Sequence, residues 1–466
     1  MVDLDGTLLR TDLLYEALFV LLASKPFSAL RVPGWLGAGK AAFKAQLADA
    51  VLLDLHTLPM DDGVLALIRE ARAGGRKVYL ASASDGRYVR AFADHVGLFD
   101  GVYASDGRVN LGAGNKARVL VDAFGPHGFD YVGNAAADEP VWAQARVAYV
   151  ANAPASVTQA ARRACATVRV VSDLRPGLRD YARAVRVHQW LKNLLILVPG
   201  LAGHALAPAA LGNALLAFLS FSLCASSVYL LNDLLDLGSD RRHATKRNRP
   251  FASGAVPLVH GMLLFPLLLA ASLGLGLLIS PAFLAVLGLY YGLTLAYSFV
   301  LKRQLVIDVV MLACLYGMRL VAGGVAFAVP LSEWLIAFAI FLFLSLALVK
   351  RVIELVACRE QGKGDPAGRA YRLSDLPMLE MLAASSGFVA VLVLALYVHS
   401  PEVATLYRHP RLLWLGCLIL TFWMCRTLIL SHRGAMHDDP VVFAATDRVS
   451  LLCGALLGAV VLGASL

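Results

Sequence analysis

The sequence predicts a multi-domain chain of two unlike parts, an α/β region followed by an all-α polytopic membrane region. Three observations carry that reading. Of 466 residues, 58% are hydrophobic and only 16% are charged; this excludes disorder, which needs low hydrophobicity and high charge. Several apolar runs approach the length that crosses a bilayer, which excludes a single soluble core. The texture also changes near Trp190. Before it, short β-branched runs alternate with helical stretches and glycine turns; after it come long apolar helices.

In the first part, residues 1–170, the runs Lys77–Ala81 and Tyr131–Val132 read as strands, with a helical insert over 12–72. Residues 171–189 include Asp173, Arg175, Pro176, Gly177 and Arg179 and read as a linker running into a basic helix at the membrane surface. Residues 190–466 are expected to hold nine spans, at 190–206, 210–231, 257–279, 282–300, 305–327, 333–350, 379–398, 411–430 and 448–466. Lys and Arg concentrate in the connections after the second, fourth, sixth and eighth spans, while the alternate connections carry little beyond Arg408 and Arg411. The positive-inside rule then predicts a multi-pass protein of the cell (inner) membrane with its α/β region in the cytoplasm. No basic segment followed by an apolar run opens the chain, which agrees with that expectation. The formal charge of +9 is thus a topology signal and calls for no nucleic-acid partner. Seven cysteines without a CxxC pair read as apolar packing residues.

The stretch Tyr229–Pro250 carries the most chemistry. Asn232, Asp236 and Asp240 are four apart and Asp233 lies three before Asp236. On a helix that spacing puts four oxygen-bearing side chains on one face, at the cytoplasmic end of the second span. Such a row repels itself unless cations occupy it, and hard oxygen ligands that share a metal with phosphate suit Mg²⁺. His243, Lys246 and Arg249 follow at three-residue spacing as donors to phosphate oxygens. A solvated loop with surface ion pairs accounts for one or two of these charges, but not for an acidic face at the end of an apolar span.

The pattern N-D-x-x-D-x-x-x-D followed by H-x-x-K-x-x-R-P resembles the first motif of the UbiA-type membrane transferases. More narrowly it resembles their decaprenyl-phosphate phosphoribosyltransferase branch. Arg186–Asn193, Tyr297–Arg303, Leu315–Gly324, Lys350–Glu354 and the C-terminal Asp439–Pro440 with Asp447–Arg448 add to the likeness in order. The resemblance implies an all-helical fold with a cytoplasm-facing cavity and Mg²⁺ bound by Asn232, Asp233, Asp236 and Asp240. It also implies transfer of 5-phosphoribosyl from phosphoribosyl pyrophosphate to a polyprenyl phosphate, in cell-envelope biosynthesis. Asp233 and Asp236 become the catalytic acids. Substrate contacts fall to Lys192, Asn193, His243, Lys246, Arg249, Tyr297, Lys302, Arg319, Lys350, Arg351 and Glu354. For Lys350 and Arg351, ordinary snorkelling at a helix end stands beside that role. The family's aromatic prenyltransferases usually carry a second motif, D-x-x-x-D; here Asp308 is followed at the fourth position by Leu312. The alternative of a polyprenyl transferase acting on an aromatic acceptor, with a non-catalytic soluble domain, stays open beside the phosphoribosyl reading.

Asp3-Leu-Asp-Gly-Thr-Leu8 resembles the first motif of haloacid-dehalogenase-type phosphatases, which implies a Rossmann-like domain with residues 12–72 as its helical cap. In that reading Asp3 is the nucleophile and a metal ligand, and Asp5 is the general acid/base. Ser82 and Lys116 bind the phosphate, and Asn134 and Asp138 supply Mg²⁺ ligands. Asn134 stands where that family usually has Asp. Such a domain is expected to remove the 5-phosphate of the membrane half's product.

Overall fold

Short apolar runs build a parallel sheet in the N-terminal region. β1 (Tyr79–Asp85) pairs with β2 (Gly101–Ser105), and β3 (Asp130–Gly133) pairs with β4 (Val147–Ala151), which pairs with β5 (Val168–Ser172). Val2 joins the two sets, bridging parallel to Leu80 and Val132. Its N–H donates to the Tyr79 carbonyl, and that of Asp3 to the Val132 carbonyl, both at 2.9 Å. The first residues therefore form the middle of the sheet, in the order β2, β1, Val2, β3, β4, β5. Val2, Leu80 and Val132 are buried. Connections run outward to either side of Asp3, which makes its end of the sheet the switch point where such folds bind ligands.

The expected helical insert is present. α1 (Leu13–Ser24) starts where the Asp12 carboxylate accepts the Leu14 N–H at 2.8 Å. α2 (Lys40–Ala50) buries Phe43 and Leu47 in the same apolar cluster as Leu13, Ala17 and Leu21 of α1. α3 (Ala113–Phe124) carries Lys116 in its first turn.

In the membrane region α4 (Pro208–Leu235) is followed by the short α5 (Leu237–Arg242). Then come α6 (Leu258–Leu277), α7 (Pro281–Phe299), α8 (Ile307–Phe327), α9 (Glu333–Glu360), α10 (Leu373–Val398), α11 (Pro410–His432) and α12 (Arg448–Ser465). Among the described residues, eight helices are long and apolar enough to cross a membrane, α5 not among them.

The structure, a computed structural model, describes residues 1–205, 207–366, 369–436 and 439–466, without the side chains of residues 402 and 404. The expected first span, 190–206, is corrected as far as it lies within those residues; residue 206 lies outside them. Val187–Leu197 is a 3₁₀ stretch and Val198–Ala202 a five-residue helix. Pro199 brings no N–H to a longer helix. The segment also lies tightly on α8: a Cβ on Gly323 would sit 2.1 Å from the Ile196 carbonyl, and one on Gly200 2.3 Å from the Phe327 ring. Two compact units result, Met1–Val185 with Tyr229–Pro266, and Arg186–Val228 with Leu267–Leu466.

Candidate active site

Asp3 stands at the carboxyl end of the central strand, buried, over a cavity of about 250 Å³. Lys116 donates to its Oδ1 at 2.7 Å and to the Tyr131 hydroxyl at 2.8 Å, and lies 3.7 Å from Asp138 Oδ1. The Thr7 hydroxyl donates to Asp3 Oδ2 at 3.3 Å. Burial pushes the Asp3 carboxyl up to about 7, and Asp138 and Asp5 add to the shift against the pull of Lys116. Gly6, at φ +74°, turns the chain past Asn134, whose Nδ2 would lie 2.3 Å from a Cβ there. Asp5 accepts from Ser82 and Ser84 hydroxyls at 2.9 and 2.7 Å and from the Leu13 N–H at 2.9 Å.

Two expected roles are altered here. The hydroxyls of Ser82 and Ser84 are both turned onto Asp5, and of the two it is Ser84, two residues on along the same face of β1, that lines the cavity. Asp138 bonds the Tyr131 hydroxyl through Oδ1, at 2.8 Å, and the N–H groups of Asn134 and Ala135 through Oδ2, each at 3.0 Å. It shapes the loop and lines the same cavity as Asp3. Sequence reasoning missed two lining residues, both from the helical insert. Lys44 of α2 bonds the Ala83 carbonyl and Asn110 Oδ1 at 2.6 and 2.9 Å, and burial lowers its ammonium. Asp12 is raised to about 7, by burial first and by Asp5 second. No local motif marks either residue.

In the same unit, the acidic row runs across a break. α4 ends at Leu235, Asp236 sits at the joint, and Asp240 lies in α5. The helical bonding still carries through, with the Asp236 N–H on the Asn232 carbonyl at 2.9 Å and the Asp240 N–H on the Asp236 carbonyl at 2.8 Å. Asp233 and Asp240 are buried, and Asn232 and Asp236 half-buried. The charge of the row is met from within. Arg249 Nη1 donates to Asp233 Oδ1 at 3.0 Å and to Asp240 Oδ2 at 2.7 Å, so this expected phosphate donor bridges the acids. The expectation that only bound cations can relieve the row is corrected accordingly. Burial still raises the Asp240 carboxyl, with Arg249 opposing. His243 and Lys246 are exposed, and His243 Nδ1 lies 3.3 Å from the Thr245 N–H.

The other expected contacts, in the second unit, sort into two networks. In the first, Lys192 and Lys350 both reach Asp439 Oδ2 at 2.7 Å. The Tyr316 hydroxyl donates to Asp439 at 3.0 Å. Burial would raise the Asp439 carboxyl, but the two ammonium groups hold it well below the usual range. Arg319 donates through Nε to Asn193 Oδ1 at 2.8 Å and through Nη2 to the Tyr290 hydroxyl at 3.1 Å. Asn193 in turn donates to Ser222 at 2.9 Å. In the second network, Arg351 lies 2.7 Å from Asp308 Oδ2 and also pairs with Glu354. Tyr297 donates to Asp308 Oδ1 at 2.9 Å, and Arg369 stands 3.3 Å from the same oxygen. Lys302 is placed on the turn after α7, where its carbonyl accepts from Arg369 at 3.2 Å. Arg351 thus bonds both Tyr297 and Glu354 beside Asp308. Asp439 appeared in the sequence only as part of a motif, and Arg369 not at all, because both partners come from distant segments.

Among the described residues, no three His, Cys, Asp or Glu side chains close on one point as a metal site. The donor chemistry nevertheless suits a hard cation. In each acidic place a side-chain cation lies against two carboxylates, Lys116 between Asp3 and Asp138 and Arg249 between Asp233 and Asp240. The acids are therefore arranged around positive charge.

Comparison with known proteins settles the class. The model of the UbiA prenyltransferase family matches residues 194–443, more than half of the chain. The chain belongs to the UbiA prenyltransferase family. The uncharacterized protein y4nM of Sinorhizobium fredii (strain NBRC 101917 / NGR234) is 38% identical over 465 residues, 98% of this chain and 89% of that protein. A decaprenyl-phosphate phosphoribosyltransferase of Mycolicibacterium smegmatis is 39% identical over 211 residues, 44% of this chain and 66% of that enzyme. A solved UbiA homolog from Archaeoglobus fulgidus bound to GPP and Mg²⁺ aligns with a TM-score of 0.48 and 19% identity, over 60% of this chain and 99% of that one. As a UbiA-family protein the chain is a multi-pass membrane transferase, and its α/β region lies outside the matched residues.

Proposed function

We propose that the membrane half transfers 5-phosphoribosyl from phosphoribosyl pyrophosphate to a polyprenyl phosphate, with its polar loops and α/β region on the cytoplasmic side of the inner membrane. The observation that carries this reading is the state of Asp308. Arg351, Arg369 and Tyr297 surround it, and it is fully buried. It is thus neutralised by protein, and a single acidic row, Asn232, Asp233, Asp236 and Asp240, is left for a diphosphate. An enzyme that ionises a prenyl diphosphate gains from two such rows; one that uses the prenyl chain as acceptor needs one. The partial likeness to the mycobacterial phosphoribosyltransferase supports the same choice.

Those four residues would hold Mg²⁺, which when bound neutralises charge on the pyrophosphate leaving group. Lys246 is an exposed cation of the same loop, suited to phosphate oxygens. Lys192 and Lys350, two ammonium groups on one carboxylate, with Arg319 over the Tyr316 ring that Lys192 also faces, suit a phosphate anion brought to the membrane half. A polyprenyl phosphate is already anionic at neutral pH and needs placing more than deprotonating.

For the α/β region we propose a phosphomonoesterase acting on the 5-phosphate of that product. Asp3 attacks phosphorus to give an aspartyl-phosphate as the bond to the ribose 5-oxygen breaks and Asp5 protonates that oxygen; water, losing a proton to Asp5, then frees inorganic phosphate and Asp3, while Lys116 steadies the charge. Mg²⁺ here would draw on Asp3 and Asn134, with Asp138 ordering the loop.

Mass spectrometry of the lipid product is the test. Purified protein given phosphoribosyl pyrophosphate, polyprenyl phosphate and Mg²⁺ is expected to add a ribose phosphate, and then to lose phosphate unless Asp3→Asn is introduced. A prenyl group carried to an aromatic acceptor would replace the first reading with its rival. Equal phosphate release by the wild type and Asp3→Asn would remove the second.

A further inference from the structure

We propose that Glu16 and Arg241 form a positioning pair through which the N-terminal α/β module holds the acid-bearing loop after α4 in its working geometry. This rests on the transferase reading and gives the α/β module a second task, as scaffold for the loop that receives the pyrophosphate.

The pair is bidentate. Arg241 Nη1 and Nη2 donate to Glu16 Oε2 and Oε1 at 2.9 and 2.6 Å, and its Nε donates to the Ala252 carbonyl at 2.9 Å. Both side chains are buried, 4% and 3% exposed. The Thr11 hydroxyl adds a bond to Glu16 Oε1 at 2.5 Å. Two desolvated charges are costly unless their geometry is held on both sides, and each side here is tied to an acidic site. Glu16 lies one turn into α1, a helix fixed at its start by the Asp12 cap and by the Leu13 N–H on Asp5. Arg241 directly follows Asp240, which shares Arg249 with Asp233.

The loop needs such a hold. α5 has only six residues, far below the length at which a helix is stable alone. Other contacts of the same unit clasp the segment. Gly254, at φ +69°, passes so close to Arg10 that a Cβ would lie 2.6 Å from the Arg10 carbonyl. The Tyr181 hydroxyl lies 2.7 Å from His260 Nδ1, and Arg242 lies 3.4 Å from Asp54. Glu16–Arg241 is the buried member of this set. Loss of Glu16 leaves the Arg241 guanidinium buried against an absent partner, so the helix turn that carries Asp240 must shift to hydrate it.

Hydrogen exchange on the full-length protein in detergent, wild type against Glu16→Gln, tests the idea. Amides of residues 236–250 are expected to exchange about tenfold faster or more in the variant, with β1 and β3 unchanged. In turnover assays the KM for phosphoribosyl pyrophosphate should rise by a similar factor, about tenfold, while that for polyprenyl phosphate stays put. Unchanged exchange over 236–250 overturns the proposal. So does equal loosening of β1 and β3, which would make the pair an ordinary fold contact. If the wild type transfers no phosphoribosyl group, the function reading falls, and the exchange data still decide the positioning role.

Discussion

Arg249→Ala is the perturbation that most directly probes the acidic row. One guanidinium nitrogen sits 3.0 Å from Asp233 and 2.7 Å from Asp240, two carboxylates whose side chains are each 3% exposed. Removing one partner of a buried pair leaves an uncompensated charge and costs about 3–5 kcal/mol. Two carboxylates here lose the guanidinium that lies between them, and their mutual repulsion is no longer offset by it. Asp240, already raised by burial, relieves part of that cost at low pH by taking a proton, so the full loss is expected near pH 8. A divalent cation between the same oxygens gives stability back, about 2.7 kcal/mol when its concentration is a hundredfold above its dissociation constant. In the wild type the same cation must compete with Arg249, so its effect is smaller. The assay is thermal unfolding of the full-length protein in detergent at pH 8, with EDTA or with Mg²⁺. The variant should melt below the wild type in EDTA and gain more from Mg²⁺. Equal Mg²⁺ shifts in the two proteins would refute the view that Asp233 and Asp240 share a cation, and undiminished stability in EDTA would refute the bridging role of Arg249.

Three further outcomes are expected. Asp3 is raised from 3.8 to about 7, so between those pH values the folded state holds a proton that the unfolded chain releases, and stability declines as pH rises through that window. Asp3→Asn removes the slope, and in EDTA the variant should gain on the wild type between pH 4 and pH 8 by at most about 4 kcal/mol, read from exchange in β3. Asp439→Asn strands the two ammonium groups that meet at its Oδ2 and should lower stability by about 3–5 kcal/mol in thermal unfolding. Gly6→Ala combines a positive φ with a Cβ 2.3 Å from Asn134, and should cost about 1–3 kcal/mol in exchange of β1 and β3.

What the sequence made legible was local. Apolar runs of span length marked α4 and α6 through α12, and the four-residue spacing marked the acidic end of α4. The D-x-D-G-T turn and Lys116 did meet at one cavity. What stayed hidden was set by distance along the chain or by packing. Glu16 and Arg241 are 225 residues apart, and nothing in either neighbourhood announces the other. Lys44 reaches the Asp3 cavity from an insert whose own pattern speaks only of amphipathic helices. The segment after Trp190 has the apolar composition of a span, yet the glycines of α8 draw it in so tightly that Pro199 and the close contact at Ile196 divide it into short turns. Arg249 was visible, but spacing cannot tell an arginine that waits for phosphate from one that already bridges two acids.

The exposure of the partner cation separates the acidic groups by purpose. Asp308 is fully buried against Arg351, whose side chain is 3% exposed, and Arg369 and Tyr297 close the remaining side. A guanidinium so enclosed has no water to enter when it leaves, and it also pairs with Glu354, so this neutralisation is costly to undo. Arg249 holds Asp233 and Asp240 with its own side chain 27% exposed. Its departure would leave two buried carboxylates, at the cost given above for Arg249→Ala, unless a divalent cation takes its place between them. We read the first place as an acid neutralised by the protein itself, through buried Arg351 and part-buried Arg369, and the second as acids that a cation can reach past a part-exposed arginine.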